Sequence, residues 1–157
     1  MTEKGKQRAA EIIRKHRLSE MFLMKIMKFG WEEVHEIAEE LEHIKTDKFF
    51  NRMDELMGFP RIDPHGSPLT DKNGNFNRPN YNRLSQISVQ STIIVKALRD
   101  SSNEFLLFLN NKSIQLNTKI TVDHIEVFDG SLTVSFDGYT DVVLGKSICD
   151  RILVEEV

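Results

Sequence analysis

Two hydrophobic periods divide the chain. From Lys6 to Met57 the apolar positions recur at helical spacing in a stretch rich in strong helix formers, without proline and with few β-branched residues. The pattern predicts a first helix over about Lys6 to Phe29 and a break at Phe29-Gly30-Trp31, where glycine suits the left-handed position past a helix end. A second helix follows over about Glu32 to Lys45, with Val34, Ile37, Ala38, Leu41 and Ile44 on its apolar side. "TDKFFNRMDELMGF" then sets Phe49, Phe50, Met53, Leu56 and Met57 at helical spacing. From Thr92 onward the period drops to two. The β-branched runs "TIIVKAL", "TKITVDHIEVF", "SLTVSF" and "TDVVL" alternate with turn signals, and Asp129-Gly130 and Asp137-Gly138 suit two-residue hairpin turns. "NEFLLFLNN", with Asn103 as its cap, reads as one short helix packed on a small barrel. The fold class is therefore α+β.

Between the two patterns lie all four prolines, Pro60, Pro64, Pro68 and Pro79, and the asparagine-rich "DKNGNFNRPNYNRLS". This marks a linker and gives three segments: a helical domain over 1–59, a linker over 60–90 and a barrel over 91–157. With 157 residues, 39% hydrophobic and 29% charged, the chain has the composition of a soluble protein with modest cores. Its net charge of −3 gives no electrostatic footprint for nucleic acid, and no apolar run reaches membrane-spanning length. The start lacks a secretory signal and the single Cys149 forms no internal disulfide, so the expected location is the cytoplasm.

Candidate chemistry sits on the helices. At 100° per residue His16 and Glu20 share a stripe with Ala9, Ile13, Leu23, Met24 and Met27. Two readings are open there: an ordinary i, i+4 pair or core histidine, and half of a metal site. On the second helix His35, Glu39, Glu42 and His43 gather within about a quarter turn, opposite the apolar side. That is either a solvated face or a set of imidazole and carboxylate ligands for a divalent cation. The two histidines stand eight positions apart, against one turn in a His-Glu-x-x-His zinc protease. Glu40 and His43 satisfy a di-iron Glu-x-x-His motif once, and too few helices are expected to supply the rest. The basic start "KGKQRAAEIIRKHR" reads as a solvated helix end, because no groove-reading motif accompanies it.

"RKHRLSEMFL", then "VHEIAEELEH", then "DPHGSPL", then a small β-barrel: this order resembles the DtxR/MntR family of metal-dependent transcriptional repressors over nearly the whole chain. The resemblance implies a metal-binding and dimerisation domain followed by a Src-homology-3-like, FeoA-like barrel. It implies a primary metal site using Glu39, Glu42 and His43, completed in the family by an N-terminal winged-helix domain. Thr2-Glu3-Lys4-Gly5 looks like the segment just after the wing, so the chain is expected to lack that domain and to reach operator DNA only through it. An ancillary site would take His16, Glu20 and His35, joined in a subset by Asp63 and His65 of the linker motif and by Asp100 of the barrel.

Iron-type members carry cysteine where this chain has Glu39, and the harder carboxylate favours Mn²⁺, with Fe²⁺ an alternative. Asn117 stands where relatives commonly have glycine. The resemblance implies regulation rather than catalysis. The helical piece of about sixty residues is too small for a generous core, so some of the Phe49, Phe50, Met53, Leu56 and Met57 surface is expected to face a partner in a two-fold homodimer through the helices, and no membrane contact is expected. A stand-alone metal-binding or ferrous-iron-transport accessory module is the rival reading, because the barrel also resembles FeoA-like domains.

Overall fold

A computed structural model describes residues 2–70 and 79–157. It divides into two compact units, one up to Arg78 and one from Pro79.

The first unit is three helices. α1 runs Glu3–Lys25, opened by Thr2, whose side-chain oxygen accepts from the Gly5 N–H, with Glu3 and Lys25 placed to complement the helix dipole. It ends short of Phe29. Lys28 takes the left-handed conformation at φ +65°, not Gly30, whose N–H is instead held by the Glu33 carboxylate at 2.7 Å. α2 spans only Val34–Leu41, and Glu42 and His43 follow it through a tightening turn that lets the chain reverse into α3, Asp47–Leu56.

α1 packs on both neighbours. Leu18 and Met21 meet Phe50, Met53 and Met57, while Leu23 meets Val34 and Ala38. Complete burial of an aromatic such as Phe50 contributes about 1.5–3 kcal/mol from removal of apolar surface. The apolar stripe expected on α1 is only partly buried: Ile13 and Met27 are exposed, because the buried residues of α1 run from Lys15 to Leu23, beyond Ile13, and Met27 lies past the helix end. Along α3, Phe50 and Met53 turn inward, and Phe49 and Leu56 face solvent.

The second unit is a six-stranded sheet in the order β1-β6-β2-β3-β4-β5, with every neighbouring pair antiparallel. The strands are β1 Asn82–Arg83, β2 Thr92–Leu98, β3 Lys119–Ile125, β4 Leu132–Phe136, β5 Tyr139–Leu144 and β6 Ile152–Glu156. Alternation places Ile93 and Val95 of β2, Ile120 and Val122 of β3, Leu132 and Val134 of β4, and Ile152 and Val154 of β6 in one core. Bulges after Val95 and Val122 interrupt it. α4, Asn103–Asn111, adds Phe105, Leu106 and Leu109. Its cap position is Ser102, and Asn103 is already helical. α5, Lys146–Cys149, is a single turn.

Asp137 and Gly138 both have positive φ and form the expected two-residue turn. Asp129-Gly130 does not. The β3–β4 connection runs from Glu126 to Ser131, because the Asp129 carboxylate accepts from Ser131 N–H and Glu126 accepts from Phe128 N–H, organising a longer loop. Asn117, at φ +69°, occupies a left-handed position that asparagine tolerates. β1 lies in the stretch read as linker; two residues are too short to show a period, and their partner β6 stands some seventy positions later.

Candidate metal centre

α1 presents His16 and Glu20 one turn apart, and α2 brings His35 against them. Glu20 Oε1, His16 Nε2 and His35 Nδ1 form a triangle with all three sides at 3.1 Å. An outer hydrogen bond orients the His16 ring, and an ion-pair contact flanks His35. His16 Nδ1 donates to Glu42 Oε2 at 2.7 Å, and His35 Nε2 points to Glu39 Oε1 at 3.4 Å. With neutral imidazoles, those outer N–H groups leave ring lone pairs facing the Glu20 carboxylate. Three lone pairs converging on one point repel unless a cation or a proton stands among them.

Edges of 3.1 Å bring the three donors close enough to serve one divalent ion. Their mix of imidazole nitrogen and carboxylate oxygen is appropriate to a divalent ion of the transition series.

Without a metal the same place is a proton site. The hydrogen bond to Glu20 raises the His16 pKa, against the opposing effect of burial. For Glu20, only 3% exposed, burial is the largest influence and opposes ionisation; hydrogen bonding from His16 and the charge of His65 outweigh it and hold the carboxyl below its ordinary value.

A second group meets the other side of the same carboxylate. His65 Nδ1 lies 3.9 Å from Glu20 Oε2, and Asp63 completes a set of three buried residues whose potential ligand atoms fall within 4.8 Å of one another. His65 Nε2 donates to the Trp31 carbonyl at 3.2 Å, which directs Nδ1 toward Glu20. Asp63 shapes its own turn: Oδ1 accepts from the N–H groups of His65 and Ser67, and Oδ2 lies 3.6 Å from Arg17 Nε. Burial raises its pKa, outweighing the opposing charge of His65.

Of the sequence candidates, the structure thus brings together His16, Glu20 and His35, and brings Asp63 and His65 to them through Glu20. Glu39 and Glu42 approach the outer nitrogens of His35 and His16. His43 is exposed and belongs to neither donor group among the described residues. Asp100 lies in the second unit, accepting from Ser102 N–H at 2.8 Å and Arg151 Nε at 3.1 Å. Nothing in the sequence marks Trp31 or Arg17 as a site residue. A backbone carbonyl leaves no mark in a sequence, and Arg17 was one cation within a basic helix start. That start is largely neutralised: Lys6 pairs with Glu3, Arg14 with Asp54, Lys15 with Glu11 and Asp47, and Arg17 with Asp63.

Residues 2–71 match the family model described as iron dependent repressor, metal binding and dimerisation domain, and residues 82–156 match the FeoA domain. Helices that gather histidine and carboxylate donors, followed by a Src-homology-3-like FeoA barrel, define the class as the metal-binding and dimerisation region of a metal-dependent regulator. A solved manganese-dependent transcriptional repressor in complex with manganese is 31% identical with a TM-score of 0.90, covering 100% of this chain and 74% of that one. The chain belongs to the DtxR/MntR family of metal-dependent transcriptional repressors. The iron-dependent repressor IdeR of Mycobacterium bovis is 25% identical over 169 residues, 100% of this chain and 73% of that protein. A probable metal transport system membrane protein of Chlamydia trachomatis is 42% identical over 65 residues, 41% of this chain and 14% of that protein. No described helix of this chain is long and apolar enough to cross a membrane.

Proposed function

We propose that this chain is the metal-sensing and dimerisation region of a Mn²⁺- or Fe²⁺-dependent transcriptional repressor controlling metal homeostasis. The observation that carries the reading is the 3.1 Å triangle of Glu20 Oε1, His16 Nε2 and His35 Nδ1, with the outer nitrogen of His16 hydrogen-bonded to Glu42. His16, Glu20 and His35 form the ancillary site, extended by Asp63 and His65. Glu39, Glu42 and His43 form the primary site, whose remaining donors come from outside the three. The metal supplies positive charge at a point where the raised His16 pKa favours a proton in its absence. That ties α1 to α2 and sets the geometry of the helical unit, the bistable element through which binding energy acts.

The working form is a homodimer through the helical unit, acting in the cytoplasm. It has no catalytic role, and DNA reading is assigned to none of these residues. The likeness to a Chlamydia protein named for metal transport favours one second reading, an accessory module of a metal transport system.

Calorimetric titration with Mn²⁺ tests the site. Tight binding is expected to be lost in His16→Ala and in Glu20→Ala and retained in His43→Ala. Tight binding that survives both of the first two and disappears in Glu42→Ala reverses the assignment. Appending the chain to a DNA-reading domain separates the two functional readings: metal-dependent operator binding supports the repressor, and its absence in a folded, metal-loaded protein supports the transport module.

A further inference from the structure

Val127 and Phe128, adjacent at the tip of the β3–β4 loop, are 94% and 95% exposed. Hydrogen bonds brace the loop beneath them: the Glu126 N–H donates to the Ser131 carbonyl and the Gly130 N–H to the Glu126 carbonyl, both at 2.8 Å. The Asp129 and Glu126 carboxylates hold the Ser131 and Phe128 N–H groups. A braced loop has little freedom to lose on contact, so the apolar pair is presented ready to bind. The tip is also acidic, with Glu126 and Asp129 on either side of the pair. Lys146, the cation beside Gly130, is taken up by Asp150 at 2.7 Å.

The helical unit carries a cavity of matching character. It lies between α1, α3 and the chain that follows α3, with a volume of about 210 Å³. Arg14 and Leu18 form its α1 wall; at 100° per residue they point away from His16 and Glu20, so the cavity is separate from the metal centre. Leu18, Phe59, Pro60 and Leu69 make it largely apolar. Phe59 takes φ +59°, a left-handed conformation rare for a bulky side chain, and stays exposed while lining the cavity. The Arg14–Asp54 pair on the wall is internally neutral. Arg61 has no ion pair among the described residues and gives the cavity a net positive charge.

We infer that Phe128 of one copy of this chain inserts into this cavity of a second copy. An apolar cavity of about 150 Å³ accommodates a benzene ring, so one of about 210 Å³ admits the phenyl ring of Phe128. Phe59 offers that ring an aromatic neighbour, and Arg61 offers the flanking Glu126 and Asp129 a cation. The occupant is a second copy because the homodimer proposed above, on which the inference rests, supplies one at high effective concentration. A two-fold axis makes the contact twice and closes the assembly. Each barrel is thereby fastened to the helices of the other copy.

Thiol crosslinking tests the contact without removing either ring. Chains carrying Val127→Cys are mixed with chains carrying Thr70→Cys, at concentrations of about tens of micromolar, and treated with a short bismaleimide. The native Cys149 is buried and stays out of the reaction. A covalent pair with one chain of each kind should form ~10-fold faster than when Leu107→Cys, an exposed site on α4, replaces Val127→Cys. Adding Phe128→Ala to the Val127→Cys chain, or Arg61→Glu to the Thr70→Cys chain, should slow the pairing by ~10-fold. Pairing no faster than the Leu107→Cys control, or unaffected by both substitutions, overturns the inference. So does a crosslink that closes only within a chain carrying both cysteines, since the ring then occupies its own cavity. Light scattering on the unaltered chain separates the failures: a dimer without pairing overturns this contact alone, and a monomer without pairing overturns the homodimer with it.

Discussion

Proton and metal compete for the same point between His16, Glu20 and His35, and the competition has a calculable size. In the apo protein the hydrogen bond to Glu20, against the opposing effect of burial and with Glu42 adding to it, raises the His16 pKa above its ordinary value. A folded-state pKa above the unfolded one contributes stability that is fully present below the unfolded value, near 6.5, and is lost as pH rises through the folded value. Apo stability should fall across that interval by at most about 1.4 kcal/mol per pH unit for the one proton involved. Metal binding has the opposite slope. The ion displaces that proton, so below the folded His16 pKa its affinity should rise up to ~10-fold per pH unit, levelling off above it. Calorimetry in buffers of different ionisation enthalpy counts the protons released by Mn²⁺, and thermal unfolding with and without metal gives both stability slopes. In His16→Ala the pH dependence from this group should vanish from apo stability. An affinity independent of pH between 6 and 8 in the unaltered chain, or an apo slope unchanged in His16→Ala, refutes the reasoning.

The remaining predictions concern the framework around the centre. Phe50→Ala, at the junction of α1 and α3, should cost about 3–5 kcal/mol in denaturant unfolding, through lost burial and a cavity; a loss below about 1 kcal/mol would show that the unit collapses around the gap. Burial pushes the Cys149 thiol up to about 12, and its Sγ lies 3.6 Å from the Leu144 carbonyl, so thiol reagents at neutral pH should label it only at the rate of unfolding. Light scattering at concentrations of about tens of micromolar should report a dimer, and a monomer there would count against association through the helical unit.

The sequence by itself determined a good deal here. The change of period between Met57 and Thr92 separated helices from strands, because 3.6- and two-residue spacings are written directly into which positions are apolar. The order of "RKHRLSEMFL", "VHEIAEELEH" and "DPHGSPL" carried the family, and spacing alone put His16 beside Glu20. The two-residue turn at Asp137-Gly138 was legible because its conformation demands particular residue types. What tertiary structure decided was partnership across elements. Nothing local says that His35 Nδ1 falls 3.1 Å from His16 Nε2, that Glu42 orients His16, or that the Trp31 carbonyl aims His65 at the far oxygen of Glu20. Those depend on how α2 and the 60–68 turn lie against α1, and hence on side-chain packing at Leu18, Leu23, Val34 and Ala38. The same dependence misplaced Ile13 and Met27, whose helical phase suited burial but which no neighbouring helix covers. Helical phase fixes the direction in which a residue points; only the packed neighbour fixes what it meets there.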